Sequence, residues 1–281
     1  MTDPVVWVDG ELLPASAARV SPLDHGLLVG NGVFETLRVY GGVPFAWTRH
    51  LARLARSADG LGLEAPEADA LRAPVDAVLR ANRLREGRVR ITVTGGPSPL
   101  GSERGDAPAT VVVAASAMAP WPASTAVVTV PWTRNERGAA TGLKTISYAE
   151  NVRALAFARE QGGGEAIFAN TQGNLCEATG SNVFLASGGV LCTPPESAGC
   201  LAGVTRALVL ELCGREGIPA EERDVRLDAL ARADEAFLTS STREVQPIDA
   251  VDGKRLRSVP APLTQRVTKA FADLVARVPD P

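Results

Sequence analysis

Apolar and polar positions alternate near the start of the chain in short runs broken by turn sequences. Val5 to Leu13 reads as strand, Asp9-Gly10 turn and strand, and Val33 to Trp47 as a second hairpin about Gly41-Gly42. From Arg49 the period changes: Leu51, Leu54, Ala55, Ala58 and Leu61 recur at helical spacing, and Arg49, Arg53 and Arg56 fall together on another face. A second helix is expected within Pro66 to Asn82. Val89 to Thr94 and Thr110 to Ala115 read as buried, β-branched strands joined by a polar, glycine-containing loop at 95–108. Two prolines and small residues at 119–124 mark a linker, after which the pattern restarts. Ala126 to Val130 reads as a strand and Tyr148 to Gln161 as a helix stopped by three glycines. A meander is expected through Glu165–Ala169, Leu175–Ala178, Asn182–Leu185 and Val190–Cys192, then a helix at Val204–Gly214 and strands at Glu235–Leu238 and Val245–Val251. The expected fold class is α/β (α+β), with mostly antiparallel sheets and flanking helices. Residues 1–118 would form a smaller domain and 125–281 a larger one that carries Lys144.

Composition narrows the function. With 281 residues, 45% hydrophobic, and 29 Lys plus Arg against 32 Asp plus Glu, the chain is a globular protein and no basic nucleic-acid binder. The longest nearly apolar stretch, Val111 to Trp121, is far shorter than the roughly 20 residues of a bilayer-spanning helix, so no membrane association is expected. The opening residues, with an acid at Asp3, do not read as a signal peptide, and the expected compartment is the cytoplasm. Cys176, Cys192, Cys200 and Cys213 form no metal-ligand spacing, and His25 and His50 are too few for most histidine metal centres, so no metal is expected. No nucleophile elbow, dinucleotide fingerprint or P-loop is present.

Of the 29 basic residues only Lys144, Lys254 and Lys269 are lysine. Arginine cannot form an imine, whereas a lysine in a dry pocket can shed its proton and attack a carbonyl. Lys254 and Lys269 sit in polar surroundings, and Lys144 lies between Leu143 and Ile146. Three features could hold a phosphate: the small-residue turn before Val204-Thr205, the hydroxyl run at 239–242 after a strand, and the arginine face at Arg49, Arg53 and Arg56. Taken one at a time, each also has an ordinary structural reading.

The run from Glu177 through Asn182, continued by Leu191, Thr193, Leu201, Gly203, Val204 and Arg206, resembles the signature of the class IV aminotransferases, the fold-type IV pyridoxal-phosphate enzymes. DHGLLVGNGVFETLRVYGG, RHLARL, LKTISYAEN and TSSTREVQPIDAVDG extend the resemblance from Trp7 to about Gly253. It implies a two-domain, D-amino-acid-aminotransferase-like fold and a homodimer. It implies that Lys144 forms the internal aldimine with pyridoxal 5'-phosphate and that Glu177 meets the pyridine nitrogen. Arg53, the backbone amides of Val204 and Thr205, and Ser241 would hold the phosphate. Asn31 replaces an aspartate common in the early motif, and Ser240 a frequent glycine. The Gly-Val-Phe-Glu-Thr-Leu-Arg run and the 95–105 loop look more like the aminodeoxychorismate lyases, enzymes on the route to folate, than the branched-chain aminotransferases, which usually carry glycine where Thr36 stands. Arg104 could then hold a substrate carboxylate. The alternative is an aminotransferase acting on a branched-chain or D-amino acid.

Overall fold

The computed structural model describes residues 3–257, 259 and 261–281. Its contacts divide the chain into two units: residues up to Ala119 with Leu143–Ser147 and Pro279–Pro281, and Pro120–Gly142 with Tyr148–Val278.

The first unit contains β1 (Val5–Val8), β2 (Glu11–Pro14), α1 (His25–Val29), β3 (Gly32–Tyr40), β4 (Val43–Pro44), α2 (Trp47–Gly60), α3 (Ala68–Ala81), β5 (Gly87–Thr94) and β6 (Val111–Ser116). Its strands form one antiparallel sheet in the order β2-β1-β6-β5-β3-β4. Alternation along β3 and β5 sends Val33, Leu37, Val39, Val89, Ile91 and Val93 to one face. The apolar stripes of the two longer helices cover that face, Leu51, Leu54 and Ala58 from α2 and Leu71, Val75 and Val78 from α3. The pattern of the sequence did not predict α1, a single turn capped by the Asp24 carboxylate, which accepts from Gly26 N–H at 2.7 Å.

The segment 143–147 belongs with this sheet, not with the later residues to which the sequence reading assigned Lys144. Thr145 bridges Val33, Phe34 N–H donates to the Lys144 carbonyl at 3.0 Å, and Ile146 N–H donates to the Gly32 carbonyl at 2.9 Å. The approach is close enough to require glycine at 32, where a Cβ would lie 2.7 Å from Ile146 Cδ1 and 2.8 Å from the Val93 carbonyl.

The second unit contains β7 (Thr125–Arg134), α4 (Ala149–Glu160), β8 (Glu165–Asn170), β9 (Leu175–Ala178), β10 (Asn182–Ser187), β11 (Val190–Thr193), α5 (Val204–Arg215), β12 (Ala220–Glu222), β13 (Glu235–Ser240), β14 (Glu244–Val251), β15 (Lys254–Arg255) and α6 (Pro262–Arg277). The sheet order is β12-β11-β10-β13-β14-β7-β8-β9, with β15 on β14. β7 runs parallel to both β8 and β14, and β11 to β12; the other ladders are antiparallel. Val128, Val130 and Phe168 meet Ala154 and Ala158 of α4, and the alternate residues Val127 and Ile167 enter a second apolar cluster. The expected meander is interrupted: the β8–β9 and β10–β11 hairpins form, but β10 takes β13 as its neighbour. That pairing sets Val183, Phe184 and Leu185 against Leu238, Phe237 and Ala236 and stacks Phe184 on Phe237 at 4.9 Å. No helix among the described residues is long and apolar enough to cross a membrane.

Candidate active site

In the first unit, β3 and α2 enclose a buried charge cluster. β3 turns Val33, Glu35 and Leu37 toward the core, so Glu35 arrives in an apolar layer with no exposed side-chain surface. Such a carboxylate needs donors, and α2 supplies them from residues three apart, which share a helix face. Arg53 Nε donates to Glu35 Oε1 at 2.6 Å and Nη2 to Oε2 at 2.9 Å, while His50 Nδ1 lies 2.6 Å from Oε2. Burial pushes the Glu35 carboxyl up, but the Arg53 charge and then His50 outweigh it and hold the group well below the usual carboxylate range. Burial also lowers the His50 pKa, against the pull of Glu35. The ring is therefore neutral near pH 7, and since an ionised carboxylate only accepts, its proton resides on Nδ1. Next to this cluster, Lys144 N–H donates to the buried Ser57 hydroxyl at 3.1 Å, and Lys144 Nζ lies 4.5 Å from the centre of the Phe34 ring.

The three arginines of α2 part company. Arg53 turns inward to Glu35, Arg56 is exposed, and Arg49 Nε donates to the Pro281 carbonyl at 2.8 Å. Arg104 is exposed and gives its guanidinium to the carbonyls of Leu61 (2.7 Å) and Gly62, just past the end of α2. Its expected role toward a substrate carboxylate requires release from those carbonyls.

In the second unit, Glu177 stands on β9 directly opposite Phe168 of β8. Its Oε2 accepts from Leu201 N–H at 3.0 Å, and Arg134 Nε stands 3.6 Å from Oε1. Cys176 and Cys200 flank it as neutral thiols, pushed up by burial and then by the Glu177 charge, Cys200 to about 12. All four cysteines are free and buried. Val204 and Thr205 are the first residues of α5, whose N-cap, Gly203, contributes no side-chain bond. The amides there face outward from a helix dipole, which favours an anion. A Cβ on Gly203 would collide with Asn182 Oδ1, so backbone alone fits at this turn. Ser241 follows β13 in a partly buried turn where the Ser240 hydroxyl accepts from Arg243 N–H at 3.1 Å, a use for the serine that stands in place of glycine. Among the described residues, no group of three His, Cys, Asp or Glu is placed to hold a metal.

Within the second unit, a hydrogen-bonded carboxylate and a helix N-terminus are the kinds of group that suit a cationic ring and an anion. Sequence reasoning quoted the segments containing Glu35 and His50 without giving them roles, and it missed Arg134. An acid inside Val33-Phe34-Glu35-Thr36-Leu37, with His and Arg three apart on the following helix, was a readable signal for the first two.

Comparison with known proteins places the chain among relatives over nearly its whole length. A D-alanine aminotransferase of Bacillus licheniformis is 32% identical over 274 residues, 96% of each chain. An aminodeoxychorismate lyase of Bacillus subtilis is 32% identical over 258 residues, 88% of this chain and 87% of its own. The solved branched-chain aminotransferase of the archaeon Thermoproteus uzoniensis, crystallised with norvaline, superposes with a TM-score of 0.89 at 31% identity, covering 97% of this chain and 94% of that one. The sequence model of the amino-transferase class IV family matches residues 32–251, from the start of β3 to the end of β14. The chain belongs to the class IV aminotransferase family, whose enzymes use pyridoxal 5'-phosphate.

Proposed function

We propose that the protein binds pyridoxal phosphate through Lys144 and converts 4-amino-4-deoxychorismate into 4-aminobenzoate and pyruvate. Glu177 meets the ring nitrogen, and Arg53, the amides of Val204 and Thr205, and the Ser241 hydroxyl take the phosphate. The observation that carries the lyase reading is on β3. Thr36, which stands where branched-chain enzymes usually have glycine, shares a strand face with Phe34, whose ring lies beside the Lys144 amine. A side chain at 36 therefore faces the lysine side of the sheet, where it can restrict the substrate. The lyase relative from Bacillus subtilis supports the same choice.

Bound pyridoxal phosphate supplies a cationic ring that withdraws electrons from the bonds of the attached substrate. Lys144 would do the proton work: as a neutral amine its Nζ would take a proton from substrate carbon and help return one as pyruvate leaves. Hydrogen bonds to its own N–H and carbonyl fix the backbone of this residue while the long side chain moves. Glu177 keeps a negative charge at the ring nitrogen, and Arg53 stays oriented by Glu35. Arg104 joins as a carboxylate ligand only by leaving Leu61 and Gly62. The same reading makes the protein a cytoplasmic homodimer whose product serves folate synthesis.

The test gives cofactor-loaded protein 4-amino-4-deoxychorismate with no keto acid present and follows both products. Equal release of 4-aminobenzoate and pyruvate, lost in Lys144→Ala, supports the lyase; no product from a yellow, folded enzyme rejects it. The second reading, an aminotransferase for branched-chain or D-amino acids, is favoured by the D-alanine and branched-chain relatives. It is scored in the same preparation with L- and D-amino acids and 2-oxoglutarate or pyruvate as acceptor.

A further inference from the structure

We propose that Arg134, at the C-terminal end of β7, is a positioning residue that holds Glu177 as an oriented carboxylate toward the cofactor ring. The inference rests on Glu177 being the ring partner. β8 and β9 pair Phe168 with Glu177, and β7 lies beside β8 with Arg134 opposite Asn170. The guanidinium lies over the buried Phe168 ring, its carbon 4.2 Å from the centre, and reaches past that ring to Glu177. Arg134 Nε is buried, has no hydrogen-bond partner of its own, and stands 3.6 Å from Glu177 Oε1. That distance is an ion pair without a direct hydrogen bond, so Arg134 acts on Glu177 mainly through charge, while Leu201 N–H fixes the other oxygen.

The orientation of Arg134 is set from behind. Nη2 donates to Asn151 Oδ1 at 2.5 Å, and Asn151 Nδ2 donates to the Thr179 carbonyl at 2.6 Å, which fixes the amide of this buried asparagine in one sense. The Thr179 hydroxyl donates to Glu165, and Glu165 Oε2 accepts from Arg243 Nη2 at 3.2 Å. Arg243 lies over Trp121 at 3.9 Å, and its N–H donates to the Ser240 hydroxyl beside Ser241. A continuous polar chain thus links the partner of the ring nitrogen to the loop assigned to the phosphate. The remaining ion pair of Arg134, with Glu150 at 3.4 Å, is exposed on the Glu150 side and explains none of this burial. The Cys176 and Cys200 thiols beside Glu177 are neutral and cannot replace the cation.

The experiment compares wild type, Arg134→Met, Arg134→Lys and Glu177→Gln, each checked for folding by urea melts. In cofactor-free protein, the Glu177 carboxyl followed by carbon NMR should titrate at higher pH in Arg134→Met than in wild type, with Arg134→Lys between the two. Pyridoxal phosphate affinity, read by fluorescence titration, should weaken about ten-fold in Arg134→Met and recover in part with lysine. In a Glu177→Gln background, Arg134→Met should cost no more than about two-fold, because the two residues act as one unit. An unmoved Glu177 titration, or losses that simply multiply in the double variant, overturns the assignment. Failure of wild type to bind pyridoxal phosphate would instead overturn the cofactor reading, and the cofactor-free titration separates the two cases.

Discussion

Replacing Glu35 with glutamine keeps the shape of the side chain and removes its charge. Its carboxylate has no exposed surface, and its partners Arg53 and His50 are 6% and 1% exposed, so water cannot compensate for what is lost. Three charge-assisted hydrogen bonds reach it at 2.6, 2.9 and 2.6 Å. At about 1.5–3 kcal/mol each they set a ceiling near 9 kcal/mol. Glutamine retains one acceptor oxygen and turns an N–H2 toward a group that is itself a donor. Breaking a buried pair in this way costs about 3–5 kcal/mol, mostly because the Arg53 charge stays buried after the carboxylate has gone. We therefore expect a loss of about 4 kcal/mol, near a thousand-fold in the unfolding equilibrium.

Urea melts of the cofactor-free protein should show this as a lower midpoint at unchanged slope. A loss below about 1 kcal/mol would refute the picture of a buried charge held by Arg53 and His50. The double variant Glu35→Met/Arg53→Met removes both ions and should recover much of the stability, since apolar replacements of buried pairs are often neutral. It should still bind pyridoxal phosphate far more weakly than wild type, which separates the structural use of Glu35 from the ligand use of Arg53.

The pKa of His50 is depressed in the fold, so below the ordinary histidine value of 6.5 the unfolded chain takes up a proton that the folded chain refuses. Stability should fall as pH drops through that range, and His50→Gln should flatten this dependence of stability on pH in urea melts; the Glu35 contribution should in turn be lost progressively once pH falls below the ordinary carboxylate value of 4.5, where the unfolded chain takes up a proton that the folded chain refuses. Gly203→Ala places a Cβ hard against Asn182 Oδ1, and Asn182 is tied by its Nδ2 to the Leu201 carbonyl at 2.9 Å. The clash should cost about 1–3 kcal/mol and weaken cofactor binding, and unchanged melting and affinity would contradict it. Asp280 accepts from Thr48 N–H at 2.9 Å and from its hydroxyl at 2.6 Å, capping a helix whose N-cap, Ala46, has no side-chain bond to offer. Asp280→Ala should cost about 1 kcal/mol and speed hydrogen exchange in the first turn of α2.

Local pattern carried much of the fold. The hairpins, the apolar stripe of α2, the span of α3, the stop after α4 and the start of α5 lie where periodicity and turn residues predicted them, because each is decided by neighbours in sequence. What escaped depends on distant pairing. The sequence reading ended β7 at Val130, before Pro131. The strand continues to Arg134 across a register shift against β8, and that extension delivers the guanidinium to Glu177. The place of Lys144 was hidden for the same reason: its segment pairs with Gly32, Val33 and Phe34, more than a hundred residues earlier. The lysine, glutamate and phosphate assignments came from the family pattern; Glu35 left a readable signal in its place within an apolar strand ahead of His50 and Arg53, whereas nothing local to Glu177 names Arg134.

Those counter-charges bear on what happens when the cofactor is removed. Arg53 is matched by Glu35 inside the first unit, and Glu177 faces Arg134 inside the second. Neither the buried Arg53 nor the partly buried Glu177 depends on a bound ligand for its counter-charge, and burial without a partner is what makes an ion costly. Stripping pyridoxal phosphate should therefore leave both units folded, with stability lowered only by the mass-action term, about 2.7 kcal/mol for ligand at a hundred times its Kd. Circular dichroism and urea melts of the stripped protein, repeated over a range of added cofactor, test this. A midpoint rising with the logarithm of free cofactor fits the argument, and a stripped chain that loses its secondary structure would show that the cofactor, not Glu35 and Arg134, balances these charges.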